Sequence, residues 1–118
     1  MSLSTLRCQF SADLAKLIQY ANSLPDTKVA VNEVVRTQLQ ASANAASGAG
    51  IVNSLHLQGL AADLLIYVGG VYKPDLESSR VLGDYWKTLG PDHYWGGDFT
   101  TRPDADHFSI SPDGGKTR

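Results

Sequence analysis

An α+β fold, a small antiparallel sheet with helices packed on one side in a single domain, is what three features of this 118-residue sequence predict. Leu14, Leu17, Ile18 and Ala21 recur at helical spacing near the start. The apolar run Leu64–Val68 meets Gly69-Gly70, a two-residue hairpin turn, and returns through Val71-Tyr72. A second helical run through Leu76, Val81, Leu82, Tyr85 and Trp86 follows, and short strand-like segments come after it.

In chain order, Ser11 is a candidate N-cap and Pro25 a stop, so a helix is expected over 11–23. Thr27 to Val35 carries Val29, Val31, Val34 and Val35 and favours a strand, with Asn32-Glu33 as a break or bulge. Residues 37–46 are rich in Ala and Gln without a wide apolar face. They read as a short, weakly packed helix ended by a flexible turn at 47–50. Pro74-Asp75 opens the second long helix and Gly90-Pro91 ends it. The segments 94–99 and 107–110 read as short strands around an acidic loop, and 111–118 as a loose tail.

The composition bounds the function. With 42% hydrophobic and 19% charged residues, the chain is neither disordered nor collagen-like. A net charge of −2 gives no electrostatic footprint for nucleic acid and no basic face for anionic lipid. Cys8 alone forms no internal disulfide. No stretch approaches the roughly 20 apolar residues of a membrane span. Arg7, Asp13 and Lys16 interrupt the opening segment, so no secretory signal is expected there.

Ligand-type residues concentrate in 54–63 and 98–108. His56, Asp63 and His107 make a set of two imidazoles and one carboxylate, which suits Zn²⁺ with an open fourth position. Asp104, three residues before His107, is placed to take and return a water proton, and Asp106 is its rival. Each residue also has a plain structural explanation. His56 fits a surface or core histidine beside a turn at Gly59, and Asp104 and Asp106 fit a solvated acidic loop. Asp63 is harder to explain so, because a carboxylate heading an apolar strand needs a cation or donors. Mn²⁺ or Co²⁺ would suit the same ligands. His93 reads as a non-ligand in a surface loop between Asp92 and Tyr94.

Three ordered motifs carry a family resemblance. Ser54-x-His56-x-x-Gly59-x-Ala61-x-Asp63 is followed by Trp95-Gly96-Gly97-Asp98-Phe99 and then Asp104-x-x-His107-Phe108. Together they resemble the zinc D,D-peptidase/L-alanyl-D-glutamate peptidase family. Arg36-Thr37 and Gln40 are similar to the element that precedes the family's first histidine, and Phe10 to Ala21 to the first helix of its phage endolysin branch.

The resemblance implies that His56, Asp63 and His107 bind zinc and that Asp104 is the catalytic carboxylate. It implies that Arg36 stabilises the polarised carbonyl or a substrate carboxylate, where a surface charge is the plain alternative. Ser54 would be a pocket residue that hydrogen-bonds substrate, and Trp95 either a substrate contact or a core residue. Ser109 departs from the family, which often carries Glu or another polar acceptor after His-Phe. The expected activity is hydrolysis of the L-Ala–D-Glu bond in peptidoglycan stem peptides by a monomeric endolysin. It would be held in the host bacterial cytoplasm until release to the wall, without membrane insertion or nucleic acid. The alternatives are a D-Ala-D-Ala carboxypeptidase or dipeptidase, and a non-catalytic zinc-containing wall-binding or virion module.

Overall fold

The computed structural model describes residues 2–34 and 54–118. Helix α1 spans Leu3–Ser23 and so begins well before Ser11. Its cap is Ser2, whose hydroxyl accepts the Thr5 N–H at 3.2 Å. The earlier start follows from the apolar stripe, which extends back through Phe10 and Leu6 onto the core. Pro25 disfavours helical geometry in Leu24, and the chain turns into strand β1, Thr27–Glu33.

Strand β2, Ala61–Val68, pairs antiparallel with β1, and the register slips between Val31 and Glu33. Asn32 is therefore the extra residue of the expected bulge. Val35, the helix expected over 37–46 and the turn at 47–50 lie outside the described residues. β2 begins at Ala61 rather than Leu64, because Ala61 and Ala62 already pair with β5, His107–Ile110. The hairpin to β3, Val71–Tyr72, turns at Gly69-Gly70. Helix α2, Leu76–Lys87, is capped by Asp75, whose carboxylate accepts the Ser78 N–H at 2.9 Å. Strand β4, His93–Trp95, completes an antiparallel sheet of order β1-β2-β5-β4, with β3 paired to β2. This is the α+β arrangement expected from the sequence.

Alternation along the strands divides the sheet into two faces. Ala62, Leu64 and Ile66 of β2 join Phe108 and Ile110 of β5 beneath the helices, in one cluster with Phe10, Leu17, Leu82 and Trp86. Each fully buried Leu or Phe there contributes about 1.5–3 kcal/mol. The helices meet where Phe10 abuts the Trp86 ring edge-on at 5.8 Å and where Tyr20 stacks on Tyr85 at 4.1 Å. Asp63 and His107 sit at the alternate positions and face the other way.

Two expectations are corrected here. His93 is not in a surface loop: it lies on β4, is 4% exposed, and its Nε2 donates to Asp13 Oδ2 of α1 at 2.8 Å. The polar neighbours Asp92 and Tyr94 misled, since a strand points adjacent side chains to opposite faces. Residues 111–118 are not loose but fold back around Asp113. Its carboxylate accepts from the Ser111 hydroxyl at 2.7 Å and from the Thr117 hydroxyl at 2.6 Å.

Candidate metal centre

His56 sits on a 3₁₀ turn, Leu55–Gln58. Ser54 caps this turn by accepting the His56 N–H at 3.2 Å, and Gly59 ends it at φ 72°. An L side chain is strained at that φ, and a Cβ there would stand 2.7 Å from Arg7 Nε. The His56 ring is buried, and its Nδ1 bonds the Val34 carbonyl at 3.0 Å. Donation to that carbonyl puts the proton on Nδ1 and leaves the Nε2 lone pair facing Asp63.

Asp63 and His107 are paired directly across β2 and β5. Asp63 Oδ1 lies 3.4 Å from His56 Nε2 and 3.9 Å from His107 Nδ1. Ligand atoms about 2.0–2.1 Å from a tetrahedral ion stand about 3.3–3.4 Å apart, so the first pair already has that spacing. One ligand atom from each of the three residues lies within 4.8 Å of the others. Asp63 Oδ1 is buried and makes no hydrogen bond. A buried carboxylate oxygen so placed is stabilised by a cation. The group can hold a metal ion, and its donors suit one.

The loop before His107 brings the acids to this centre. Asp104 donates its N–H to the Gly96 carbonyl at 2.9 Å, and the His107 N–H returns to the Asp104 carbonyl at 3.3 Å. Gly96 allows this approach, because a Cβ there would fall 2.2 Å from the Asp104 oxygen and 2.7 Å from His107 Cβ. Asp104 Oδ1 accepts the Asp106 N–H at 3.1 Å. Lost solvation of its carboxyl, then the Asp63 charge, raise the Asp104 pKa, against smaller opposing effects of the Asp106 N–H bond and then of His56. Asp106 is pushed up to about 6, chiefly by burial and then by Asp104 and Asp63, while the Tyr72 hydroxyl bond at 3.1 Å opposes the shift.

His56, Asp63 and His107 are thus brought together as the sequence suggested, with Asp104 beside them. Ser54 is 4% exposed; besides capping the turn, its hydroxyl donates to the Arg118 main-chain oxygen at 2.9 Å. Trp95 is 1% exposed, and its indole N–H donates to the Ala105 carbonyl at 2.9 Å, steadying the acidic loop from below. Ser109 is buried and its hydroxyl makes no hydrogen bond. Arg36 lies outside the described residues. Sequence reasoning missed the Val34 carbonyl, the Tyr72 hydroxyl, Arg118, and Phe99, whose ring packs 5.4 Å from that of His107. Only Phe99 left a signal, as the last residue of the Trp-Gly-Gly-Asp-Phe motif.

A family model described as D-alanyl-D-alanine carboxypeptidase matches residues 47–110, which include the metal-ligand group and Asp104. The chain belongs to this peptidase family. Membership makes it, in class, a hydrolase of peptidoglycan. Its fold is similar to that in the crystal structure of the Serratia marcescens L-Ala D-Glu endopeptidase ChiX, with a TM-score of 0.69 and 22% identity. The match covers 85% of this chain and 79% of that one. No curated protein matches the sequence significantly. No described helix of the peptidase is long and apolar enough to cross a membrane.

Proposed function

We propose that the peptidase is a zinc-dependent endopeptidase that cuts the L-Ala–D-Glu bond of peptidoglycan stem peptides, as a phage or prophage endolysin. The observation that carries this reading is the convergence of His56, Asp63 and His107 with Asp104 at their side. Two imidazoles and a carboxylate are the donors of a catalytic zinc that keeps a fourth position open. The family motifs in the sequence and the likeness of fold to an L-Ala D-Glu endopeptidase support the choice of bond.

His56, Asp63 and His107 would hold the ion, which supplies Lewis acidity and makes water nucleophilic near neutral pH. Asp104 is the proton carrier. Its Oδ1 is held by the Asp106 N–H, so Oδ2 is the oxygen that takes a proton from the attacking water and delivers it to the leaving amine. A raised pKa brings this carboxylate closer to working pH and strengthens it as a base. Asp106 has one oxygen engaged by Tyr72 and is the lesser candidate. Arg36 would brace the carbonyl oxygen as negative charge develops on it. The chain would act as a monomer, kept in the host bacterial cytoplasm until wall access is opened.

The family description favours a second reading, a D-Ala-D-Ala carboxypeptidase. A lysis assay on permeabilised Gram-negative cells, with mass spectrometry of the released muropeptides, separates the two. A new L-Ala/D-Glu break supports the endopeptidase. Release of D-Ala alone replaces it with the carboxypeptidase, and no product leaves a non-catalytic wall-binding or virion module.

A further inference from the structure

Arg118 touches the turn that carries His56 and the Phe99 ring that packs on His107. Its main-chain oxygen accepts the Leu55 N–H and the Ser54 hydroxyl, the latter at 2.9 Å. Ser54 in turn accepts the His56 N–H at 3.2 Å, so two hydrogen bonds in series run from the His56 backbone to Arg118. At the other end, the guanidinium lies 4.2 Å from the centre of the Phe99 ring and donates to the Thr101 hydroxyl at 2.9 Å. Phe99 rests against His107 at 5.4 Å. The turn around Asp113 brings Arg118 to this position.

We infer that Arg118 is a positioning residue for the metal centre: its backbone fixes the His56 turn while its guanidinium presses Phe99 onto the His107 ring. This rests on the metal-binding reading above, and it assigns a task to a segment outside the family motifs. His56 comes from a short turn that leads into β2, with its ring held on the Val34 carbonyl, and His107 comes from the partner strand β5, so the sheet sets their separation only through the turn. Arg118 spans that gap. A planar cation suits the role because it stacks on the ring while its N–H fork bonds the loop; lysine offers charge without the plane.

The test is zinc affinity of the metal-free protein, measured by competition with a chromophoric chelator and alongside thermal melting of the same samples. Wild type should bind one Zn²⁺. R118A should bind about 10-fold or more weakly, as losing a group that orients a ligand typically does, and R118K should recover little. F99A should weaken binding similarly, and the R118A/F99A double variant no further, because one acts through the other. Wild-type affinity in R118A, or losses that multiply in the double variant, would overturn the inference. Should R118A also melt early without metal, the comparison of F99A with the double variant still decides. If wild type binds no zinc, the metal reading fails along with this one; if wild type binds and R118A is unchanged, this one alone fails.

Discussion

Asp63 and His107 stand opposite each other across the β2–β5 ladder, with Asp63 Oδ1 3.9 Å from His107 Nδ1. Opposed residues of an antiparallel pair project to the same face, so backbone pairing alone brings these two side chains together. His56 joins them from a turn capped by Ser54, its ring held on the Val34 carbonyl.

Replacing His56 or His107 with Ala should abolish stoichiometric zinc, measured by elemental analysis after gentle purification. Added zinc should raise the melting temperature of wild type but not of either variant. The stabilisation that disappears is about 2.7 kcal/mol when free zinc is roughly 100 times its Kd.

Asp104→Ala should retain metal and fold and lose about 10²–10⁴ in turnover, the usual contribution of a proton carrier. Asp106→Ala should lose much less. Turnover on purified muropeptides, with zinc content as the control, checks both; the opposite ranking would make Asp106 the base.

Gly96→Ala should damage the centre without touching a ligand. Its Cβ would meet the Asp104 backbone oxygen at 2.2 Å, and backbone cannot swing aside as a flexible side chain can. A loss of about 1–3 kcal/mol in stability is the cost typical of such overpacking. Denaturant unfolding measures it, and activity should fall with the displaced Asp104.

Asp113 should make the stability of the 111–118 turn depend on pH. Hydrogen bonds from Thr117 and Ser111 hold its pKa below the usual 3.8. A carboxylate with a depressed folded pKa stabilises the fold above the unfolded value, and the contribution is lost as pH falls through the folded one. Asp113→Asn should therefore flatten the acid limb of the stability curve below about pH 4, a window set by the unfolded carboxylate value. Melting temperatures of the two proteins from pH 2 to 7 test this.

Much of the sheet was legible because its signals are local. The Gly69-Gly70 hairpin, the bulge at Asn32 and the α2 boundaries all follow from residues within a few positions of each other. The grouping of His56, Asp63 and His107 was legible through motif order. What stayed hidden are contacts between distant segments: Val34 with His56, Tyr72 with Asp106, Asp13 with His93 and Ser54 with Arg118. None leaves a periodic trace, and two of the four use a main-chain oxygen, which every residue has. The start of α1 was misplaced because Ser11 looks like a cap but sits inside a stripe that continues through Leu6.

The Asp13–His93 pair has a consequence for the order in which the chain matures. Asp13 lies in the first element and finds its buried partner 80 residues later. A buried carboxylate without its donor is costly, and within α1 only the exposed Lys16 faces Asp13, so the docked state of α1 is fully stabilised only when β4 is in place. Closing so long a loop is entropically slow, and relatively non-local contacts of this kind delay folding. Phe10, Leu17 and Ala21 lie on the same helix, so the expected outcome is that their burial is completed late, together with the Asp13–His93 contact.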